Sequence, residues 1–180
     1  CLDDNGAKLA VVLVGIRPPA GTSRVIPLVA DPDSAAALLR RAAVRSPALL
    51  EGIDWFRLPL PGDGGTWSAA GLTSVLDDHP ATRGLVAAVD TDESGLTRVL
   101  LTNSGSIPLA PVAVDVGWSA GIAQACDGAS GFELLSPGPL GFHLRPSPAV
   151  PVVGPGESRA VGWVRFAESP RDLEARPAQR

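Results

Sequence analysis

The chain has 180 residues, 45% of them hydrophobic, and a formal net charge of −4. This hydrophobic content suffices for a globular core, and the acidic balance argues against a nucleic-acid-binding protein, which needs a basic surface. The longest unbroken apolar run, residues 9–14, is much shorter than the roughly 20 residues that cross a membrane as a helix.

The first residue is a cysteine, followed by a short polar segment. A chain that begins with cysteine resembles a mature bacterial lipoprotein, so we interpret residues 1–8 as a tether and Cys1 as a candidate lipidation site. In that case the lipid would be the protein's one contact with a membrane. Two alternatives stay open, an arbitrary starting point and a disulfide between Cys1 and Cys126, because spacing does not choose among them.

Residues 9–82 alternate between strand-like and helix-like segments, which predicts a small α/β segment with mainly parallel strands, similar to part of a barrel. Asp31 and Pro32 are typical of the N-cap and first position of a helix. A second helix is predicted to begin near Ser68. Apolar runs of strand length predict strands at residues 8–17, 25–30 and 53–58.

Residues 83–167 lack helical periodicity and contain short apolar runs separated by turn signals. This pattern predicts an antiparallel, immunoglobulin-like β-sandwich, so the expected fold class is α+β. Residues 168–180 are polar and interrupted by proline, and we expect a disordered tail there. The predicted strands are 85–89, 97–102, 112–118, 122–126, 132–135, 141–145 and 158–166.

The stretch from Glu51 to Trp67 concentrates aromatic and charged side chains at the end of a predicted strand. The candidate ligand-binding residues are Trp55, Arg57, Asp63 and Trp67, since indoles stack on sugar rings and charged groups bind hydroxyls. The alternative is a buried Arg57 that pairs with a nearby aspartate and packs on tryptophan. In either case we expect Trp55 or Trp67 to be buried where the two parts of the chain meet.

Several short motifs together resemble the carboxyl-terminal half of a family of uncharacterised bacterial proteins that are often lipoproteins. The resemblance implies a barrel-like α/β region followed by a β-rich part, and it supplies no catalytic residues. The chain departs from it because too few strands precede Pro80 to close a barrel. The motifs are residues 55–59 (Trp-Phe-Arg-Leu-Pro) with Asp63 and Trp67, 101–105 (Leu-Thr-Asn-Ser-Gly), 127–128 (Asp-Gly) with 131–132 (Gly-Phe), 155–159 (Pro-Gly-Glu-Ser-Arg) and 162–163 (Gly-Trp).

Three further patterns imitate functional sites. Residues 117–121 match the Gly-x-Ser-x-Gly nucleophile elbow around Ser119, but the required helix has no room and His143 follows too soon. Residues 90–95 imitate a calcium loop, but its twelfth position is Leu101, so we favour a hairpin turn. The histidines and cysteines have no metal-ligand spacing, and we expect neither a metal nor a cofactor.

We therefore expect a non-catalytic binding or structural module of the bacterial envelope, lipid-anchored or secreted, whose partner is a glycan or an envelope protein. The alternative is a glycan-active enzyme similar to glycoside hydrolases, or a truncated remnant of one. That enzyme would need two carboxyl groups across a cleft. The candidates are Glu51, Asp54, Asp63 and Asp90.

Overall fold

The computed structural model of the protein describes residues 31–45 and 66–178. Within these ranges two helices precede eight strands. They are α1 (Pro32–Arg45), α2 (Ala69–Leu76), β1 (Leu85–Thr91), β2 (Leu96–Asn103), β3 (Val114–Gly117), β4 (Ala123–Gly128), β5 (Phe132–Gly138), β6 (Gly141–Pro146), β7 (Ser158–Phe166) and β8 (Glu174–Pro177). The tether and the three strands predicted before residue 60 lie outside the described residues.

The strands form two antiparallel sheets of four strands each, in the orders β1-β2-β7-β4 and β5-β6-β3-β8. β1 and β2 form a hairpin in which Leu85 lies opposite Asn103 and Thr91 opposite Thr97. β7 returns beside β2. Each of the strands predicted between residues 85 and 166 overlaps one of β1 to β7, so these predictions are confirmed.

The prediction of a disordered tail at residues 168–180 is wrong for the segment that forms β8. This strand pairs with β3, and Val116 lies opposite Ala175. Ala175 is 8% exposed and joins the core. The sequence pattern did not indicate this strand, because its one buried residue, Ala175, lies between the charged Glu174 and Arg176. Main-chain pairing with β3 therefore stabilises β8 more than the burial of apolar side chains does.

The inner faces of the two sheets share one hydrophobic core, which supplies the main apolar burial of the β-rich part. Val114, Val116 and Trp118, which occupy alternate positions along the chain, lie together on its inner side. The Trp118 ring meets Phe166 edge-on, with 5.0 Å between ring centroids. The fully buried aliphatic residues of this core are Val99, Leu101, Val114, Leu144, Val153, Val161 and Val164.

A second cluster joins the helices to the β-rich part, through Trp67, Leu72 and Val75 packed with Ile107. Ser68 caps α2, because its Oγ accepts the Gly71 N–H at 3.1 Å and donates to the Ser106 carbonyl at 2.9 Å. A Cβ on Gly71 would lie 2.4 Å from that same carbonyl oxygen, so only glycine allows this close approach.

The side chain of Asn103 is fully buried and ties together two loops. Its Nδ2 donates to the carbonyls of Ile107 and Val153, both at 2.8 Å, and its Oδ1 accepts the Gly105 N–H at 2.8 Å. Its main-chain N–H donates to the Glu157 carbonyl at 3.0 Å. One side chain therefore connects the turn after β2 with the loop before β7.

The loop before β7 is closed by an internal ion pair. Glu157 accepts the Gly154 N–H at 2.7 Å through Oε2, and its Oε1 lies 2.5 Å from Nη2 of Arg159. Arg159 also donates to the carbonyls of Pro151 and Val152, at 2.9 and 3.0 Å. Because the Arg159 side chain is only 15% exposed, these bonds satisfy a charge that is largely removed from water.

The turn between β1 and β2 is built on Asp92. Its Oδ1 accepts the Ser94 hydroxyl at 2.6 Å, the Ser94 N–H at 2.9 Å and the Leu96 N–H at 3.2 Å. Gly95 has a φ of +77°, which suits glycine. The segment that imitates a calcium loop is thus a hairpin turn, as predicted.

Replacing Asn103 by alanine is expected to lower the free energy of unfolding by about 2–4 kcal/mol, because the Gly105 N–H and the Ile107 carbonyl would lose their partner in a buried site. Urea unfolding followed by circular dichroism measures this change. Ser104→Ala is the matched control, since Ser104 is exposed and its Oγ makes one 3.3 Å bond to Gly84. An Asn103→Ala protein as stable as this control would contradict the assigned role.

The turn should also make stability depend on pH. The Ser94 hydroxyl, helped by the main-chain N–H groups of Leu96 and Ser94 and by Arg98, lowers the pKa of Asp92 below its ordinary 3.8. The folded state therefore favours the ionised carboxylate, and this stabilisation is fully present above the ordinary pKa and is lost as pH falls through the lowered one.

We expect Asp92→Asn to be less stable than the wild type by a constant amount from about pH 7 to about pH 5, and the difference to shrink below about pH 4. Urea unfolding across this pH series measures it. Glu93→Gln, an exposed neighbour in the same turn, controls for the change in charge. A difference that stays constant down to about pH 2 would exclude Asp92 as the titrating group.

Candidate functional site

Of the predicted ligand-binding residues, the structure describes Trp67, whereas Trp55, Arg57 and Asp63 lie outside the described residues. Trp67 is 8% exposed and belongs to the cluster that joins the helices to the β-rich part. Its predicted burial at this junction is confirmed. A sugar that stacked on this indole would have to displace core contacts, so the packing role of Trp67 is the one that its surroundings support, and its ligand role stays a prediction.

The nucleophile-elbow motif does not form a catalytic triad. The Ser119 hydroxyl donates to Asp172 Oδ2 at 2.6 Å, so its partner is a carboxylate instead of the histidine that a triad requires. His143 Nδ1 lies 2.6 Å from Asp115 Oδ1, and these two residues are cross-strand neighbours on β6 and β3. The serine and the histidine are thus held in separate pairs, and β4 begins at Ala123, which leaves no room for the helix that the motif requires.

Metal and thiol chemistry also lack a site in the part of the chain that the structure describes. No group of three or more His, Cys, Asp or Glu side chains there is placed to hold a metal ion. Cys126 carries a free thiol, and the other half of the alternative bridge, Cys1, lies outside the described residues. Burial raises the pKa of this thiol, and Asp127 raises it further, which disfavours the reactive thiolate.

A candidate site that sequence reasoning missed lies on the outer face of the sheet β1-β2-β7-β4. Arg98 points outward, since its neighbours Thr97 and Val99 are buried. In the ladder Arg98 lies opposite Trp163, which in turn lies opposite Asp127. We call the surface formed by Asp90, Arg98, Asp127, Trp163 and Arg165 the Trp163 face.

The indole of Trp163 is half-buried, and it is absent from the residues that pack on the hydrophobic core. Its N–H makes no hydrogen bond to any residue that the structure describes. Trp118 provides the contrast, because its indole N–H donates to the Gly121 carbonyl at 3.3 Å. Trp163 therefore offers an incoming ligand both a partly exposed ring and an unused hydrogen-bond donor.

Charged groups lie on both sides of this indole in the ladder. Asp127 uses Oδ1 to accept the Gly128 N–H at 2.7 Å, and its Oδ2 makes no hydrogen bond within the described ranges. Arg98 reaches Asp92 Oδ2 at 3.3 Å and remains half-exposed. The next row of the ladder consists of Ala88, Leu100 and Ala160, which carry no charge.

A β-bulge explains why the sequence pattern did not reveal Trp163. Strict alternation along β7 would place Val161 and Trp163 on the same, inner side. The ladder instead pairs Val99 with Gly162 and Leu100 with Ala160, which leaves Val161 as the extra residue. Val161 and Val164 are consequently both fully buried, and Trp163 faces outward.

No helix among residues 31–45 and 66–178 is long and apolar enough to cross a membrane. Comparisons of the chain with protein-family models, with curated proteins and with solved structures give no match.

Proposed function

We propose that the protein is a non-catalytic binding module of the bacterial envelope and that the Trp163 face is its ligand surface. The observation that carries the proposal is the partly exposed indole of Trp163, with an unused N–H, placed between Arg98 and Asp127 in the ladder. A flat aromatic ring flanked by polar groups suits a ligand with an apolar ring face and hydroxyls at its edge, which is the chemistry of a glycan.

The rigidity of the support favours binding over catalysis. β2 and β7 are the two central strands of their sheet, and Arg98 and Trp163 lie on them. Such a surface presents its groups without the entropy cost of ordering a loop. The charged groups that the ladder places beside the indole, Arg98 and Asp127, both belong to this sheet, so we expect the face to contact a ligand from one side only.

We further propose that the two antiparallel sheets form an immunoglobulin-like sandwich. Their shared hydrophobic core supports this proposal. The family resemblance remains a proposal as well. The motif residues Asn103, Glu157 and Arg159 support it, because they make the hydrogen bonds within and between loops that are described above. Residues with such structural roles are the ones that we expect a family motif to contain. Lipidation of Cys1 and an extracytoplasmic location belong to the same proposal.

Trp163→Ala is expected to weaken retention on insoluble polysaccharides and purified peptidoglycan sacculi about tenfold or more, because the ring supplies the stacking surface. Sedimentation of the protein with each polymer measures this retention. The free energy of unfolding should change by no more than about 1 kcal/mol, since the indole lies outside the core. Trp163→Phe should keep part of the retention.

Val86→Ala is the matched control, since Val86 is 52% exposed on the same sheet, on the edge strand β1. It should bind as the wild type does. Equal retention of Trp163→Ala and wild type would refute the assignment of this face. Release of reducing sugars from any of the polymers by the wild-type protein would refute the non-catalytic character and favour the glycan-active enzyme.

A further inference from the structure

We infer that the ligand of the Trp163 face is an acidic glycan, whose pyranose ring stacks on Trp163 and whose carboxylate binds Arg165. This inference rests on the proposed function of the same face and adds the chemical class of the ligand. It starts from Arg165, the arginine of the described strands that holds no carboxylate. Arg165 is exposed and has no acidic partner among the residues that the structure describes.

The other arginines of the described strands each hold a carboxylate. Arg98 pairs with Asp92, Arg145 with Glu133, Arg159 with Glu157 and Arg176 with Glu174, at distances of 3.3, 2.9, 2.5 and 2.6 Å. In the ladder the direct neighbours of Arg165 are Leu96 and Ala125, both uncharged. The guanidinium of Arg165 is therefore available to an anion from outside the chain, and it can bind a carboxylate through two parallel hydrogen bonds.

Arg165 lies close enough to Trp163 for one ligand to contact both side chains. Trp163 and Arg165 are two residues apart on β7, and the buried Val164 between them faces the core. Their side chains thus leave the same face, about 6.6–6.8 Å apart along the strand. That separation allows one sugar unit to cover the indole while its own carboxylate, or that of the next unit, reaches the guanidinium.

The carboxylates of the face orient such a ligand. Asp127 lies beside Trp163 on β4, and Asp90 lies beyond Arg98 on β1. A ligand carboxylate is repelled from both and attracted to Arg165. The free Oδ2 of Asp127 accepts hydrogen bonds from hydroxyl groups, so the hydroxyl edge of the sugar is expected on that side. A uronic acid fits this arrangement of charges, since one molecule carries both a carboxylate for Arg165 and hydroxyl groups for Asp127.

Polygalacturonate and its methyl ester test the inference, because they share the sugar ring and differ in the charge of the carboxyl group. Native affinity electrophoresis through gels that contain one polymer or the other gives an apparent dissociation constant for each. We expect wild-type protein to bind polygalacturonate about tenfold or more tightly than the ester, and added salt to reduce the difference.

Arg165→Gln should bind both polymers equally, at the level of wild type on the ester, whereas Trp163→Ala should lose binding to both. Arg145→Gln, an exposed arginine on the other sheet, should behave as wild type. The melting temperature of each variant confirms that it is folded. Wild type that prefers neither polymer or binds neither, or an Arg165→Gln protein that keeps the preference, would overturn the acidic-glycan inference.

These outcomes distinguish a failure of the acidic-glycan inference from a failure of the proposed binding function. Equal binding of both polymers that Trp163→Ala abolishes would remove the acidic preference and leave the binding function of the face. Binding that Trp163→Ala does not affect would overturn both.

Discussion

The described structure depends most on the buried side chain of Asn103. Its amide spans two loops that would otherwise leave polar main-chain groups in an apolar interior, and a buried group without a partner costs about 1–3 kcal/mol. The loop that it fixes also carries Ser106, whose carbonyl accepts both the N–H and the hydroxyl of Ser68. The same short segment therefore closes the β-rich core and positions helix α2, so that two hydrophobic clusters form one folded unit.

Much of the β-rich half could be predicted from the sequence, because its strands are bounded by turn residues and their inner positions are apolar. The β3 alternation placed Val114, Val116 and Trp118 in the core, and they are buried. Helix periodicity was less reliable at the surface. Leu76, an apolar residue at the end of α2, is 55% exposed, because this short helix buries only one narrow stripe that includes Leu72 and Val75.

The candidate site could not be predicted in the same way. A bulge adds one residue and reverses the facing of every later side chain. Gly162, next to Val161, is compatible with a bulge, but a single glycine inside a strand does not give the position of the extra residue. The site also combines residues that are distant in sequence. Arg98, Trp163 and Asp127 become neighbours only because their strands, β2, β7 and β4, are adjacent in the sheet. The sequence analysis therefore favoured the dense local cluster around Trp55 and Trp67, whereas Trp163, whose indole is partly exposed on β7, entered it only as part of a short motif.

The chain contains four tryptophans, and their indole N–H resonances distinguish the two locations directly. The decisive measurement is a titration of the 15N-labelled protein with galacturonate oligosaccharides, followed by NMR after assignment of each indole by substitution. The account predicts that the Trp163 resonance shifts progressively, while those of Trp67 and Trp118 stay in place because both rings are buried. A shift confined to Trp55 or Trp67, with Trp163 unchanged, would contradict it.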